Sequence, residues 1–171
     1  MSTLEWSPTL ALELPAMDDT HREFVQLLAA VEAADDATLQ SAWRTLTTHT
    51  EAHFGQEDCW MRGTGFSSFN CHTTQHQVVL QVMREGMRRG ELGQPEVIRQ
   101  MAHELASWFP QHAQSMDAAL ALHLRSVGFD FATGKAAQAQ ALPADAIQGC
   151  GSGACRPSPI PEARTAEPTA V

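Results

Sequence analysis

The stretch "HFGQEDCWM", from His53 to Met61, places a histidine and a carboxylate on one side of a predicted helix. At about 3.6 residues per turn, His53 and Glu57 lie almost one above the other, and Met61 continues the same stripe. This stripe is expected to face the protein interior, where a carboxylate has to be paired, protonated or bound to a metal ion. The rest of the chain therefore has to supply a partner for Glu57.

Four helical segments account for the first 130 residues, and each has start or stop residues that are typical of a helix. These residues are Asp18 at the start of the first segment, Asp35 or Asp36 at the start of the second, Gly63 and Gly65 after it, Gly90 near the end of the third, and Pro95 and Gly128 at the two ends of the fourth. No stretch alternates like a strand beside a hairpin turn. The sequence therefore predicts an all-α protein, an antiparallel up-down four-helix bundle.

The composition fits one globular domain with an unusual histidine content. The chain has 171 residues, 43% of them hydrophobic, and its net charge of -9 argues against nucleic acid and anionic membrane surfaces as partners. Its first residues lack the basic segment of a signal peptide, and no stretch is apolar enough to cross a bilayer. With four cysteines and no dense disulfide pattern, a cytoplasmic protein is expected. Eight histidines against eleven lysines and arginines point to a metal site.

The composition changes at about residue 131. Residues 131–171 hold five of the nine prolines and few large apolar residues. They are predicted to form a flexible tail beyond a bundle domain of residues 1–130, because such a segment cannot bury a core. An unidentified protein partner for this tail is one interpretation of its presence.

The cysteines have no clear metal-binding spacing. Cys150 and Cys155 lie in "GCGSGAC" within the tail, where they either form a disulfide or bind a soft metal, or have no role. Cys59 and Cys71 are expected inside the bundle as small apolar residues.

Residue types that bind metals recur on all four predicted helices. They are His21 on the first helix, His53 and Glu57 on the second, His72 and His76 on the third, and His112 and Asp117 on the fourth. Taken singly, each pair is more often core filler or surface than a metal site, but the interior of a bundle brings facing helices together. Five imidazoles and two carboxylates exceed the four ligands of a zinc ion, and they suit two cations of the iron type that share carboxylates.

This pattern resembles the hemerythrin family, and in particular its single-domain bacterial branch, the bacteriohemerythrins. The seven residues match the ligand pattern of the family in their order and spacing. Further matching positions are Trp6, Asp18, Phe54, Met61 and Trp108. The resemblance covers about residues 4–128, so the predicted tail lies outside it.

The resemblance implies a non-haem site with two iron ions that binds dioxygen reversibly. One iron would be held by His72, His76 and His112. The other would be held by His21 and His53 and would keep an open coordination position for dioxygen.

The resemblance also assigns a role to the carboxylates. Glu57 and Asp117 would bridge the two irons, together with a solvent-derived oxide or hydroxide. Two cations would then offset the charge of the buried Glu57. Leu28, Phe54 and Trp108 are candidates to line an apolar pocket for dioxygen, although apolar residues at helical spacing are more often plain core.

Three residues near the predicted site have open roles. Pro110 is expected to kink the fourth helix two residues before His112. The next ligand, Asp117, is five residues on, about 140° around an ideal helix, a spacing that the family shares. Asp58, where many relatives have a glutamate, is either solvated or in contact with a ligand. His49, one turn before the histidine of the second helix, either adjoins the ligands or is a partly exposed helix residue.

Reversible dioxygen binding, for storage, delivery or sensing, is therefore the predicted function, and the protein is not expected to be an enzyme. A diiron enzyme with peroxidase or ferroxidase activity is the alternative, but carboxylate-rich enzymes of this kind use Glu-x-x-His motifs, which the chain lacks. A third interpretation makes the bundle an oxygen or redox sensor that acts through a partner protein.

Overall fold

Helices dominate the structure, a computed structural model that describes residues 4–66 and 71–144. Within these ranges five α-helices follow one another, with a π-helical segment between the last two. They are α1 (Pro15–Ala33), α2 (Leu39–Gly63), α3 (Cys71–Glu91), α4 (Pro95–His112), the π segment (Ala113–Asp117) and α5 (Ala118–Ser126). A 3-10 turn, Pro8–Leu10, precedes α1, and another, Ala139–Ala141, follows the helices.

The helices form a closed ring. Each packs against the next helix in the chain, and α4 also contacts α1. α4, the π segment and α5 continue one another without a loop as the fourth helix of the bundle. Since short connections join helices that touch, neighbouring helices are antiparallel. The predicted all-α, up-down four-helix bundle is confirmed. Among the described helices, none is apolar over a length that could cross a bilayer.

Two helices begin a few residues away from the predicted positions. α1 begins at Pro15, because the first turn of a helix favours proline, and Asp18 lies inside that turn rather than before it. The Asp18 carboxylate accepts hydrogen bonds from the backbone N–H groups of Leu12 (2.7 Å) and Leu14 (3.2 Å), so it holds the chain that leads into the helix. α2 begins at Leu39, after a turn that includes part of its predicted start.

The core consists of two apolar clusters, one toward each end of the bundle. Members of the large cluster include Phe24, Leu28, Trp43, Met83 and Ile98. Members of the small cluster include Met17, Met61, Leu120 and Leu124. On α1, α2 and the fourth helix, the predicted metal ligands lie in sequence between residues of the two clusters. A polar layer therefore separates the two halves of the core.

Close packing of α3 against α2 and α4 depends on Gly86. A Cβ atom there would lie 2.7 Å from Sδ of Met101 and 2.9 Å from Nε1 of Trp43. The Trp43 indole is held in place because its N–H donates a 2.9 Å hydrogen bond to the carbonyl of Met83. The absence of a side chain at Gly86 thus lets the three helices approach one another.

A short hairpin follows the bundle, although the sequence predicted no strand. β1 (Phe129–Asp130) pairs with β2 (Lys135–Ala136) in antiparallel fashion, and strands of two residues are too short to produce an alternating pattern. The ring of Phe131 contacts that of Trp60 on α2 edge-on, with centroids 5.1 Å apart. The division of the chain at residue 130 remains a prediction, and it falls inside this hairpin.

The cysteines differ in environment. Cys59 is exposed with a free thiol, and its Sγ lies 3.2 Å from Nη2 of Arg62. Cys71 is half-buried and disulfide-bonded, so the prediction that both are small apolar core residues is wrong. A disulfide is more typical of an oxidising compartment, and the cytoplasmic location stays a prediction. Cys150 and Cys155 lie outside the described residues, as does most of the predicted tail. A partner for the tail therefore stays a prediction.

Replacing Gly86 with alanine should destabilise the bundle, whereas the same change at Gly55 should stabilise it. Alanine in a helix interior normally gains about 0.5–1 kcal/mol over glycine, and a Cβ at Gly55 would meet nothing within 4 Å. At Gly86 the added methyl group overpacks the contact with Met101 and Trp43, at a cost of about 1–3 kcal/mol. Urea denaturation measures both free energies of unfolding. A Gly86→Ala variant as stable as Gly55→Ala would contradict this packing.

Candidate metal centre

Polar side chains from all four helices of the bundle meet in the layer between the apolar clusters. They are His21 on α1, His53 and Glu57 on α2, His72 and His76 on α3, and His112 and Asp117 on the fourth helix. Each is at most 5% exposed. The structure therefore brings together all seven residues that the sequence indicated as metal ligands, and metal binding by each of them remains a prediction.

The seven side chains form two groups that share both carboxylates. Within each group the candidate ligand atoms all lie within 4.8 Å of one another. The larger group consists of Glu57, His72, His76, His112 and Asp117, and the smaller of His21, His53, Glu57 and Asp117. We call these the three-imidazole side and the two-imidazole side. Carboxylates that belong to both groups are placed to act as ligands in each of them.

The π segment places His112 and Asp117 on the same face of the fourth helix. In an ideal α-helix, residues five apart diverge by about 140°. Here the backbone N–H of Ala118 donates to the carbonyl of Ala113, five residues back, and this wider turn brings such residues into line. Pro110 lies inside α4 before the wider turn. It does not remove His112 from the cluster, since Nε2 of His112 lies 3.1 Å from Oδ1 of Asp117.

Each carboxylate directs one oxygen toward the two-imidazole side of the cluster and the other oxygen toward the three-imidazole side. Oδ2 of Asp117 lies 3.2 Å from Nε2 of His21, and its Oδ1 lies 3.0 Å from Nε2 of His72. Oε1 of Glu57 lies 3.6 Å from Nε2 of His53, and its Oε2 lies 3.3 Å from Nε2 of His72. The two acids are therefore arranged as bridges between the two sides.

These short distances do not have hydrogen-bond geometry. Among the described residues, the carboxylate oxygens of Glu57 and Asp117 have no hydrogen-bond partner, and neither has Nε2 of His21, His53 or His72. Buried polar atoms without partners are rare because each costs free energy. Imidazole nitrogens and carboxylate oxygens that converge in this way are suitable ligands for borderline divalent cations. The residues present therefore fit iron.

Without a cation, the carboxylates and imidazoles stabilise one another's charge. Burial raises the pKa of Glu57, but neighbours that include His53 and His72 outweigh this and hold that pKa below its usual range. Burial lowers the pKa of His72, but Asp117 and Glu57 raise it overall to about 9. Burial lowers the pKa of His53 to about 4, so this ring is neutral. Bound cations would replace the remaining protons, because metals require unprotonated ligand atoms.

Two of the imidazoles contact a further side chain through their Nδ1 atoms. Nδ1 of His76 lies 3.2 Å from Oδ1 of Asp58, and Nδ1 of His112 lies 3.2 Å from Oε1 of Gln75. A proton on Nδ1 leaves Nε2 free, so these contacts favour the tautomer that a metal ligand needs. Asp58 thus contacts a predicted ligand. Sequence reasoning missed Gln75, whose one signal was its position between the two histidines of α3.

Aromatic rings cover two of the imidazoles of the three-imidazole side. Phe54 stacks on His76 with ring centroids 3.9 Å apart, and Trp108 stacks on His112 with centroids 4.4 Å apart. The indole N–H of Trp108 also donates a 3.3 Å hydrogen bond to Oε1 of Gln75. The rings of Phe54 and Trp108, which the sequence indicated as lining residues, therefore lie directly against the cluster.

Phe109 is an aromatic neighbour that the sequence did not indicate. Its ring meets that of His21 edge-on, with centroids 5.1 Å apart, and stacks on Phe24 of the large cluster at 4.4 Å. Its position three residues before His112, on the same helix face, was the available signal. Leu28 is fully buried in the large cluster, and its role in lining a dioxygen pocket remains a prediction.

His49 lies at the outer edge of the two-imidazole side. Its ring is nearly parallel to that of His53, with centroids 6.3 Å apart. Its Nε2 lies 3.2 Å from the carbonyl oxygen of Thr20, and its Nδ1 lies 3.5 Å from Oε2 of Glu23. Burial lowers the pKa of this partly exposed ring. His49 therefore adjoins a predicted ligand and also reaches solvent.

Comparison with known proteins gives one consistent result. A sequence model of the family described as "Hemerythrin HHE cation binding domain" matches residues 13–122. The chain is 37% identical over 130 residues to a bacteriohemerythrin from Ralstonia nicotianae, and this match covers 76% of the present chain and 95% of that protein. No solved structure is a significant match.

Removing either of the shared carboxylates should abolish metal binding. Glu57→Gln and Asp117→Asn keep the side-chain size but lose the charge that offsets the cations, so we expect both variants to lose iron. They should also lose the rise in melting temperature that iron produces by binding the folded state. Iron analysis and thermal unfolding with and without iron measure both effects.

Glu51→Gln provides the matched control on α2. Its exposed carboxylate pairs with Arg84 at the surface, where such a pair contributes about 0–1 kcal/mol, so iron content should not change. Full iron content and unchanged stabilisation in both Glu57→Gln and Asp117→Asn would show that the cluster is not a metal centre.

Proposed function

The chain belongs to the hemerythrin family, and on this basis we propose that it binds dioxygen reversibly at two iron ions held by the seven buried side chains. The observation that carries the proposal is the division of the carboxylates, each with one oxygen toward either side of the cluster. A carboxylate placed in this way could bind two cations at once, one through each oxygen. This accounts for two acids, Glu57 and Asp117, that are both 0% exposed.

The two sides of the cluster offer different numbers of ligands. We assign one iron to the three-imidazole side and the other to the two-imidazole side, with both carboxylates shared. The first iron then has five protein ligands and the second has four. We propose that dioxygen binds on the two-imidazole side, because that side has the smaller set of protein ligands.

The chain itself provides a buried and pre-arranged site. A pair of irons held by these residues would supply the two-electron chemistry of reversible dioxygen binding. Phe109 contacts His21, Phe54 stacks on His76 and Trp108 stacks on His112, so these rings keep water away from the imidazoles that they cover. Asp58 holds a proton on Nδ1 of His76, so that Nε2 of His76 stays available as a ligand.

Binding is proposed rather than catalysis because the cluster is rich in histidine. Its five imidazoles outnumber its two carboxylates, whereas carboxylate-rich diiron enzymes use Glu-x-x-His motifs. Peroxidase or ferroxidase activity is the alternative, and sensing through a partner protein is a third function. The visible spectrum separates carriage from catalysis, since colour that returns to its starting value on removal of dioxygen supports carriage.

The reduced protein should become coloured in air and lose this colour when dioxygen is removed. Because the cluster has two metal groups and one side with fewer ligands, we expect about two irons and one azide per chain in the oxidised protein. Iron analysis and an azide titration followed by absorbance give both numbers. Oxidation that never reverses, or two azides per chain, would contradict the proposal.

Phe109→Leu should shorten the lifetime of the coloured form. The smaller side chain leaves space beside His21 that water can enter, and water promotes irreversible oxidation. Val31→Ala is the control, since it opens a cavity in the large cluster about 15 Å along α1 from His21. Absorbance decay in air measures the effect. Equal lifetimes for Phe109→Leu and Val31→Ala would contradict the role assigned to this ring.

A further inference from the structure

A groove between α1 and α2 leads from the surface to the predicted metal centre. Its volume is about 210 Å³, enough for several water molecules. Its walls are formed by Thr20, Glu23, His49, Ala52, His53, Gln56 and Trp60. His53 is the member of the cluster in this wall, so the groove ends at the two-imidazole side. Two other grooves, one between α3 and α4 and one beside Gly90, contain none of the seven cluster residues in their walls.

Among the described residues, aromatic rings cover other parts of the cluster. On the three-imidazole side, Phe54 and Trp108 stack directly on imidazoles, and Phe109 stands against His21. A hydrated cation cannot pass such contacts without displacing buried rings. The outward neighbour of His53, in contrast, is the polar ring of His49.

His49 and Glu23 are arranged to hold a cation in the groove. The carbonyl of Thr20 can only accept a hydrogen bond, so Nε2 of His49 donates the proton in this 3.2 Å contact. A neutral His49 ring then presents the lone pair of Nδ1 to Oε2 of Glu23, 3.5 Å away. Two acceptors that face each other in this way favour a positive ion between them.

The distance between these two atoms also fits a shared ion. Ligand atoms that each lie about 2.1 Å from a divalent ion are at most about 4.2 Å apart, and the His49–Glu23 separation of 3.5 Å is within that limit. Imidazole nitrogen and carboxylate oxygen are both ligands that ferrous iron accepts. No lysine or arginine is among the groove-lining residues, so nothing in its wall repels a cation.

We propose that ferrous iron enters and leaves the protein through this α1–α2 groove, with His49 and Glu23 as transient ligands that pass it to His53. The inference rests on the proposed function, because it assumes that the cluster holds iron. Glu23, with its side chain 67% exposed, meets the ion first. His49, with its side chain 14% exposed, lies between that carboxylate and the buried cluster.

Anaerobic uptake of ferrous iron by the iron-free protein tests the route. Gln56→Trp places a large ring at an exposed position of the groove wall, and Gln26→Trp places the same ring at an exposed position of α1 outside it. Uptake, and removal by a chelator, should both slow several-fold in Gln56→Trp at unchanged final iron content, because a barrier acts equally in both directions. Gln26→Trp should match the wild type. Unchanged rates in Gln56→Trp would overturn the route.

His49→Ala distinguishes transient ligands from a passive opening. The change widens the groove, so a merely steric route would load faster, whereas loss of a transient ligand should slow loading several-fold. Glu23→Gln should slow loading in the same way, and His103→Ala, at an exposed position of α4 outside the groove, should have no effect. Faster or unchanged loading in His49→Ala would overturn the role of His49. A wild-type chain that binds no iron at equilibrium would instead overturn the proposed function, and this inference with it.

Discussion

Two carboxylates buried between two apolar clusters set the condition that the rest of the bundle has to meet. Glu57 and Asp117 are fully buried, and an ionised carboxylate without a partner in such a place costs several kcal/mol. Imidazoles from α1, α2, α3 and the fourth helix surround them. Each helix contributes to the same layer. A helix that shifted along its axis would therefore withdraw its imidazole nitrogen and leave a buried carboxylate without that partner. The polar layer thus constrains the register of the helices, while the clusters on either side supply apolar burial.

The two sides of this layer are supported differently, and their proposed roles follow from the difference. On the three-imidazole side, Asp58 contacts Nδ1 of His76 and Gln75 contacts Nδ1 of His112. Aromatic rings also cover both of these imidazoles. On the two-imidazole side, His53 adjoins a groove whose walls include Glu23 and His49. A tightly held side suits an ion that stays fully ligated. A side with fewer ligands and a path to solvent suits exchange of small molecules and ions.

The fourth helix shows how a local departure from regular geometry serves this arrangement. Its wider turn at Ala113–Asp117 gives up regular α-helical bonding for one segment, and in return both His112 and Asp117 face the cluster. Wider turns of this kind occur often at functional sites. The turn also sets how α5 is rotated relative to α4, and α5 carries Leu120 and Leu124 of the small cluster. One segment therefore determines both the site and the packing beyond it.

Periodicity in the sequence was sufficient for the four helices and for the bundle, and it put His53 with Glu57 and His72 with His76 on one face, because a helix places residues i and i+4 together whatever surrounds it. The full set of seven residues depended also on the resemblance to the hemerythrin family. Periodicity was not sufficient to place Asp18 within the first turn of α1. It also did not predict that Gln75 and Phe109 contact the cluster or that a groove lies beside His49. These features arise from contacts between helices far apart in the chain, which depend on how each helix is rotated. His112 and Asp117 show the limit most clearly, since an ideal helix would separate them. Only packing against the other three helices, with a charge to be neutralised between them, selects the wider turn that brings them together.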